Sequence, residues 1–369
     1  MKILMVTNKV RTYALGFQNV LTPLLQLGHE IVWAADFSQF VGEGRERIPC
    51  VTEQISIHTS PFHPENRKAY RQIRRVIREH KIEAVLCSTP IGGLLARLAA
   101  HREGVRPVVY TAHGFLFFKG APLINQTAYK WEEELLAHIT DALITIALED
   151  YSAAKKLKLR NGGKLYLIHG AGIQVGVRAD VDRAEKRRSL GVPDDAFLVV
   201  SVGELNRNKN TATALNALIE MNDSRVHYVA CGDGPEKRTL EMYAQKRGVS
   251  ERFHAVGYRT DVSEILACSD AFVMMSFREG LPRALMEAMD AGLPCVGSDT
   301  RGIRDLIDSE GGFICKPKDA KGLSLSLWKL FRDPALRERM GAHNCEKVKR
   351  YASEVVRREL YGIFKEVFP

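Results

Sequence analysis

The sequence has few cysteines, no long hydrophobic run, and no repeated or low-complexity segment. Its seven cysteines are dispersed, odd in number and never spaced as C-x-x-C, which indicates reduced cytosolic thiols and not a disulfide framework. The longest apolar stretches have only the length of a strand, so no segment is expected to span a bilayer. The opening MKILMVTNKVR lacks a small-residue cleavage site and is predicted to be a buried strand, not a secretory signal.

Two missing motifs narrow the class of enzyme further. The first predicted strand leads into TNKVRTYALGF (7–17), which is predicted to place Gly16 in a loop ahead of a helix at 18–28. Gly16 is a lone glycine and not part of a G-x-G-x-x-G fingerprint. Because that fingerprint shapes the turn that holds a dinucleotide, an NAD-dependent oxidoreductase is disfavoured. The sequence also offers no convincing cluster of His and Asp residues, so neither a metal nor an organic cofactor is expected.

The chain of 369 residues is too long for one typical core and predicts two domains. Its net charge of +9 is unevenly placed. Residues 1–170 carry 22 Lys and Arg against 15 Asp and Glu, a net charge of +7, which leaves +2 for the remainder. A basic first half indicates an anionic partner there, either a phosphorylated substrate or an acidic surface.

Short β-branched runs alternate with helical patterns in two series. Most of these runs are apolar on both faces, which is typical of strands in a helix-covered parallel sheet. The first series covers 3–7, 30–35, 84–88, 108–112, 142–146 and 165–168, and the second covers 197–203, 227–232, 252–257, 271–276, 294–299 and 311–315. A polar stretch, 172–195, is the predicted linker. The pattern predicts two consecutive doubly wound, Rossmann-like α/β domains with a ligand site in the cleft between them.

Two carboxylates flank a Gly-Leu-Pro turn in EGLPRALME (279–287). Glu279 is predicted to lie in a loop after a strand, and Glu287 on the first turns of a helix that has Pro282 at its first position. Backbone N–H groups at the start of this helix are available to a phosphate or sugar oxygen. The carboxylates would repel a phosphate, so we expect them to accept hydrogen bonds from sugar hydroxyls. The alternative is that both are ordinary first-turn acids favoured by the helix dipole.

Other predicted strands also end in loops with chemically useful residues. GELNRNKN (203–210) offers the cations of Arg207 and Lys209 to a diphosphate, and the glycines of CGDGPE (231–236) are equally consistent with simple turns. YTAHGFLFFKGAP (110–122) places His113 at a strand end, before an apolar FLFF loop that is expected to be exposed and before Lys119. A lone histidine is more often structural, but this one lies at the edge of the predicted cleft.

These motifs together resemble a known family. The spacing of Glu279 and Glu287 is similar to the E-x7-E signature of the retaining family 4 glycosyltransferases of the GT-B fold. The resemblance covers essentially the whole chain, because GELNRNKN, CGDGP and CVGSDTRGIRDLI (295–307) follow in the expected order. YTAHGFLFFKGAP is similar to a subgroup that builds exopolysaccharide, capsule or lipid-linked oligosaccharide.

The resemblance implies a role for each candidate residue. It gives a catalytic set of Glu279, which holds the donor hexose, His113, which contacts the same sugar, and Lys209, which neutralises the diphosphate. It also implies that Glu287 binds the ribose hydroxyls. The full substrate-binding set that it implies is Gly16, Gly203, Arg207, Gly232, Gly257, Tyr258, Gly280, Leu281, Glu287 and Lys119. One departure is Glu204, which stands where the family has Arg; we expect Arg207 to supply the missing charge.

The implied reaction is the metal-independent transfer, with retention, of a hexose or N-acetylhexosamine from a nucleoside-diphosphate sugar, most simply a UDP-sugar. The implied acceptor is a polyprenyl-diphosphate-linked or other saccharide. The resemblance assigns acceptor binding to 1–171 and donor binding to 172–351, with a last helix at about 352–369 that packs back on the first domain. A GT-B epimerase or phosphorylase, and a non-catalytic nucleotide-sugar sensor or scaffold, remain alternative hypotheses.

The segment ENRKAYRQIRRVIREHK (65–81) predicts a basic helix with an apolar stripe at Ala69, Ile73 and Ile77. One interpretation is a solvated helix packed along this stripe. The other is docking to anionic lipid, reinforced by insertion of the FLFF loop. The second interpretation predicts a cytoplasmic protein held peripherally at the inner face of the cell membrane. No nucleic-acid partner is expected.

Overall fold

The computed structural model describes residues 1–41, 45–61, 63–177 and 179–368. The chain forms two compact units, one of Met1–Gly172 with Ser353–Pro369 and one of Ile173–Ala352. The prediction placed each division one residue earlier. Across the described ranges, every helix is too short or too polar to cross a bilayer.

The first unit contains a seven-stranded sheet in which every pairing is parallel. Its strands are β1 Lys2–Lys9, β2 Glu30–Asp36, β3 Val51–Gln54, β4 Ala84–Ser88, β5 Val108–Ala112, β6 Ala142–Thr145 and β7 Lys164–Leu167. The strand order is β3-β2-β1-β4-β5-β6-β7, so the direction of winding reverses between β1 and β4. Ligands of doubly wound sheets bind at the carboxyl ends of strands at such a reversal.

The second unit repeats this plan with a six-stranded parallel sheet. Its strands are β8 Phe197–Val202, β9 Val226–Cys231, β10 Phe253–Gly257, β11 Ala271–Met274, β12 Cys295–Ser298 and β13 Gly312–Cys315. The order is β10-β9-β8-β11-β12-β13, and the reversal lies between β8 and β11. Two doubly wound Rossmann-like units confirm the predicted fold class.

Helices connect the strands and cover both faces of each sheet. In chain order they are α1 Leu15–Gln26, α2 Glu65–Glu79, α3 Pro90–Glu103, α4 Lys130–Ala137, α5 Leu148–Ala154, α6 Arg183–Ser189, α7 Thr211–Met221, α8 Lys237–Lys246, α9 Val262–Ala267, α10 Arg283–Asp290, α11 Ile303–Leu306, α12 Ala320–Arg332, α13 Pro334–Val348 and α14 Ser353–Val367. A π-helical turn, Asn125–Tyr129, precedes α4.

The apolar stripe of α2 packs into the core of the first unit. Ala69, Ile73 and Ile77 are buried there beside strand residues such as Val6 and Val85, as the spacing predicts. The last helix, α14, also belongs to this unit and packs against α1. The Asn19 side chain of α1 donates hydrogen bonds to Ser353 Oγ at 3.1 Å and to the Ala171 carbonyl at 2.8 Å. These bonds fix the start of α14 on the first unit.

The predicted linker is wrong over much of its length. Ile173 lies in the core of the second unit, and α6 is a helix of that unit. Within α6 the guanidinium of Arg187 is buried, where it contacts Asp270 at 2.7 Å and donates to the Cys268 carbonyl at 2.9 Å. The polar composition of α6 therefore reflects a buried, fully bonded arginine and a solvated outer face, not a flexible connection.

Candidate active site

The winding reversal of the second sheet brings two predicted loops together. Residues 203–210 follow β8 and residues 275–282 follow β11, and these strands are neighbours. Phe277 N donates to the Asn208 carbonyl at 2.8 Å, and the Asn208 side chain donates to the Arg278 carbonyl at 3.0 Å. Asn210 donates to the Met275 carbonyl at 2.9 Å. These bonds hold the two loops as one rigid edge.

Lys209 and Glu279, which the sequence placed in separate motifs, meet at this edge. Lys209 Nζ lies 2.7 Å from Glu279 Oε1, and their side chains are only 26% and 12% exposed. A partly buried ammonium group can release its carboxylate partner and bind a phosphate oxygen instead. Because both side chains still reach water, the released carboxylate is not left as an unpaired buried charge. The pair is therefore able to bind both the phosphate and the hydroxyl of a ligand.

The segment after β12 supports the loop that carries Glu279. Arg301 is buried, and its Nε donates to the Glu279 carbonyl at 3.1 Å. Gly302 has φ +76°, and a Cβ there would lie 1.7 Å from the Gly280 carbonyl oxygen. This segment belongs to the family pattern, but the sequence alone does not assign Arg301 a role, because its contact with Glu279 depends on the tertiary fold.

Three predicted glycines also converge on this sheet edge. Gly203 N donates to the Cys231 carbonyl at 2.9 Å, and Gly232 N donates to the Gly257 carbonyl at 2.8 Å. At Gly232 a Cβ would lie 1.9 Å from the Gly203 carbonyl oxygen, so this close approach requires glycine. The next residue after Gly257, Tyr258, is 81% exposed and presents an open aromatic face.

Glu287 lies on α10 and pairs with Arg283 one turn earlier, at 2.8 Å. The helix begins at Arg283 with Pro282 as its N-cap, so the prediction of Pro282 as the first helical residue is off by one position. Gly280 and Leu281 lie in the turn before the cap. Leu285 and Met289 are buried in the core, as predicted, which directs Glu287 away from it.

Glu204, which stands where the family has arginine, bonds within its own loop. Glu204 is exposed and accepts a hydrogen bond from the Asn206 side chain at 2.8 Å. Arg207 is exposed and forms no ion pair with the residues that the structure describes. Arg207 is therefore a cation on the same loop that a ligand can recruit, and no ion pair with a described residue holds its guanidinium in place.

The first unit contains the other three predicted residues. Gly16 lies in the first turn of α1, so the expectation of a Gly16 loop ahead of the helix is wrong. His113 directly follows β5 and is exposed to solvent, so its imidazole is accessible to a ligand. Lys119 is also exposed, and its backbone N donates to Glu149 at 2.9 Å.

The FLFF segment is not the exposed apolar loop that was expected. Phe115 and Phe117 are buried and stacked with their ring centroids 4.7 Å apart. Phe115 N donates to the buried Asp150 at 3.1 Å, which draws the loop onto α5. Phe115 and Phe117 therefore stabilise the loop after His113, and neither ring is available for insertion into a membrane.

Wherever the structure describes the chain, it brings no three His, Cys, Asp or Glu side chains close enough to hold a metal ion. All seven cysteines are free. The charged groups of the site are chiefly the side chains of Lys209 and Glu279.

Comparison with known proteins identifies the class of this site. Residues 17–169 match the family Glycosyltransferase Family 4, and residues 182–346 match the family Glycosyl transferases group 1. EpsD of Bacillus subtilis (strain 168) is 36% identical, with 92% of this chain and 90% of EpsD covered. The chain therefore belongs to the family 4 glycosyltransferases, and its fold is GT-B.

Two further comparisons bear on relatives and fold. The chain is 30% identical to the UDP-Gal:alpha-D-GlcNAc-diphosphoundecaprenol alpha-1,3-galactosyltransferase of Escherichia coli, with 78% of this chain and 75% of that protein covered. The crystal structure of Anabaena HepE in complex with UDP superposes with a TM-score of 0.81 at 18% identity, covering 99% of this chain and all of HepE. The second similarity concerns the fold alone.

Proposed function

We propose that this glycosyltransferase moves a hexose or N-acetylhexosamine from a UDP-sugar to a lipid-linked saccharide in the synthesis of a cell-surface polysaccharide, with retention of configuration. The observation that carries the proposal is the Lys209–Glu279 pair, at 2.7 Å, on the edge where doubly wound sheets bind ligands. The name of the Escherichia coli relative specifies a UDP-sugar donor and a diphosphoundecaprenol-linked acceptor, which supports the same substrate classes here.

In the proposed mechanism, Lys209 stabilises the charge that develops on the leaving diphosphate. Glu279 accepts hydrogen bonds from hydroxyls of the donor hexose, and Arg301 holds the backbone of its loop at 3.1 Å. Glu287 binds the ribose hydroxyls once Arg283 gives up its contact. Glu279 and Glu287 are both proposed to bind sugar hydroxyls, and neither has the acid or the nucleophile role of a glycosidase carboxylate. Lys209 supplies the cation, so the proposed reaction needs no metal.

Peripheral contact with an anionic membrane belongs to the same proposal. The structure bears on which basic residues of α2 are suited to that contact. Helix α2 packs on α3, and α3 packs on α4, so their outer faces are neighbouring parts of one surface. Arg74 and Arg78 both bind Glu103, which occupies two of the basic side chains that were considered for lipid binding. Other basic residues of α2 stay exposed: Arg67, Lys68, Arg71 and Arg75.

Large apolar side chains are exposed just before the π-helical turn and on α4. Leu123 is 83% exposed, Ile124 65%, Trp131 64% and Leu135 51%. Tryptophan beside aliphatic residues is typical of the interface between lipid headgroups and acyl chains. Basic charge on α2 and apolar surface next to α4 therefore suit one anionic bilayer.

Flotation with liposomes of phosphatidylglycerol and phosphatidylcholine tests this part of the proposal. Binding should rise with the phosphatidylglycerol fraction, fall with salt, and weaken on reversing Lys68 and Arg71 to Glu. The matched control reverses Arg238 and Lys246 of α8, which should leave flotation unchanged. Equal flotation of both double variants, or none at any lipid composition, would count against membrane contact.

The transfer itself is tested with a panel of UDP- and GDP-sugars. Specific donor binding should raise the unfolding temperature, and the stabilising UDP-sugar should release UDP faster in the presence of an acceptor. Lys209→Met should lower that rate by about 100-fold or more. If a donor binds but UDP is released neither with nor without acceptor, a sensor or scaffold is favoured. If the sugar of the donor is converted but not transferred, an epimerase is favoured.

A further inference from the structure

A pocket in the first unit is not used by the donor site. It is lined by Pro90, Tyr110, Leu116, Tyr129, Glu132 and Glu133 together with the backbone of the loop that follows His113. The pocket therefore lies beyond the carboxyl ends of β4 and β5, on the edge of the first sheet where ligands bind. The pocket has no single motif in the sequence, because its lining comes from three separate segments.

The inner wall of the pocket is a rigid, charge-balanced cluster. Arg97 is buried and binds both carboxylate oxygens of Glu133, at 2.8 and 3.0 Å. Its guanidinium stacks 3.9 Å from the ring centroid of Tyr110, and its Nε donates to the Gly93 carbonyl at 3.0 Å. Bidentate pairing and stacking fix the arginine in one geometry. Glu133 is thus fully engaged within the protein.

Glu132, its neighbour, is in a different situation. Its side chain is half-buried in the pocket, yet no donor among the described residues forms a hydrogen bond to its carboxylate. Burial, with a contribution from the charge of Glu133, raises its pKa above the usual range. A confined carboxylate without a donor carries a desolvation cost that a ligand with hydroxyl groups can offset.

The outer wall is held in place by hydrogen bonds from the π-helical turn. Asn125 donates to the Leu116 carbonyl at 2.8 Å, and Gln126 donates to the Phe118 carbonyl at 2.9 Å. The same turn places Tyr129 at the pocket. Single π-helical turns inside helices often occur at functional sites. Here the turn connects the loop after His113 to the residue that supplies an aromatic face.

We propose that a sugar ring of the acceptor binds across the mouth of this pocket, with the half-exposed Glu132 carboxylate accepting hydrogen bonds from ring hydroxyls and Tyr129 contacting the apolar face of the ring. The inference rests on the proposed function, since it assigns the acceptor of that reaction. Phosphate is a poor ligand here, because Arg97 is already bound to Glu133 and Glu132 adds a negative charge. One free carboxylate provides too few oxygen ligands for a hard metal ion.

Glu132→Gln tests the proposal, because it keeps the shape of the side chain and removes the charge that accepts the hydroxyls. Glu134→Gln is the matched control: Glu134 lies on the same helix but pairs with Lys130 at 3.7 Å. The probes are octyl glycosides of glucose, galactose, N-acetylglucosamine and N-acetylgalactosamine. Their binding to the full chain saturated with UDP is measured by saturation-transfer NMR and calorimetry.

We expect at least one glycoside to bind, with the affinity reduced about 10-fold or more in Glu132→Gln and changed less than twofold in Glu134→Gln. With that glycoside as acceptor, KM should rise in Glu132→Gln while kcat changes much less. Equal binding by Glu132→Gln and the unchanged chain would overturn the proposal, as would failure of all four glycosides to bind. If either of these results is obtained, the UDP affinity of the unchanged chain separates the two hypotheses. A chain that still binds UDP keeps the proposed donor function, whereas a chain that does not bind UDP refutes the proposed function itself.

Discussion

Replacing Glu279 by Gln should produce an unusual combination of effects: slower turnover with tighter binding of UDP. In the structure Glu279 holds Lys209 at 2.7 Å, so the carboxylate competes with a diphosphate for the same cation. Gln keeps the length of the side chain and its hydrogen-bonding groups but removes the competing charge. The variant therefore separates the role in sugar binding from the effect on Lys209.

The size of each effect follows from the exposure of the pair. With side chains 26% and 12% exposed, the ion pair is partly screened and worth about 0.5–1 kcal/mol. Its release corresponds to about two- to fivefold tighter binding of UDP. Loss of a hydroxyl contact that strengthens in the transition state should lower kcat by about 100-fold.

Calorimetry with UDP and a coupled assay of UDP release measure the two effects separately. Glu204→Gln is the control, because Glu204 is on the same loop as Lys209 but bonds only to Asn206 among the described contacts. It should change both quantities less than twofold. A Glu279→Gln variant that binds UDP ten times more weakly and keeps normal turnover would refute the reasoning, since Glu279 would then be only a structural anchor.

Three further predictions concern other residues of the second unit. Glu287→Gln should weaken UDP binding about fivefold, by calorimetry, with a smaller change in kcat, because the proposed ribose contact is lost in all bound states. Gly232→Ala should lower the free energy of unfolding by about 2–4 kcal/mol in urea titrations, because its Cβ would meet the Gly203 carbonyl oxygen at 1.9 Å. Burial, and then the charge of nearby His227, lower the pKa of His254 to about 4. The unfolded chain binds this proton near pH 6.5, whereas the folded chain binds it only near pH 4. The free energy of unfolding should therefore be largest above pH 6.5 and fall by about 1–2 kcal/mol toward pH 4, less steeply in His254→Gln.

Strand prediction succeeded where the sequence carries its own signal. Strands such as β1 and β9 are apolar on both faces, and the structure has a strand at every predicted position. It failed at β3, VTEQ, whose residues are half-buried or exposed. This strand lies at the edge of the first sheet, and its pairing with β2 comes from backbone hydrogen bonds that need no apolar side chains.

The site was predictable as a set of residue types but not as a geometry. The family pattern identified Lys209 and Glu279, whereas their direct contact depends on β8 and β11 being neighbours, which only the fold determines. Arg301 was missed for the same reason. The prediction of an exposed FLFF loop is wrong because Asp150 accepts a hydrogen bond from the backbone of Phe115, and Asp150 lies on a helix that comes later in the chain.

The return of α14 to the first unit decides how the two units can be exchanged between related proteins. Residues 173–352 are continuous, so they can be replaced as a single cassette. The first unit is discontinuous, and a chimera that exchanges only 1–172 would combine a foreign α1 with the native α14. Such a hybrid loses the match between Asn19 and Ser353 unless both segments are transplanted together.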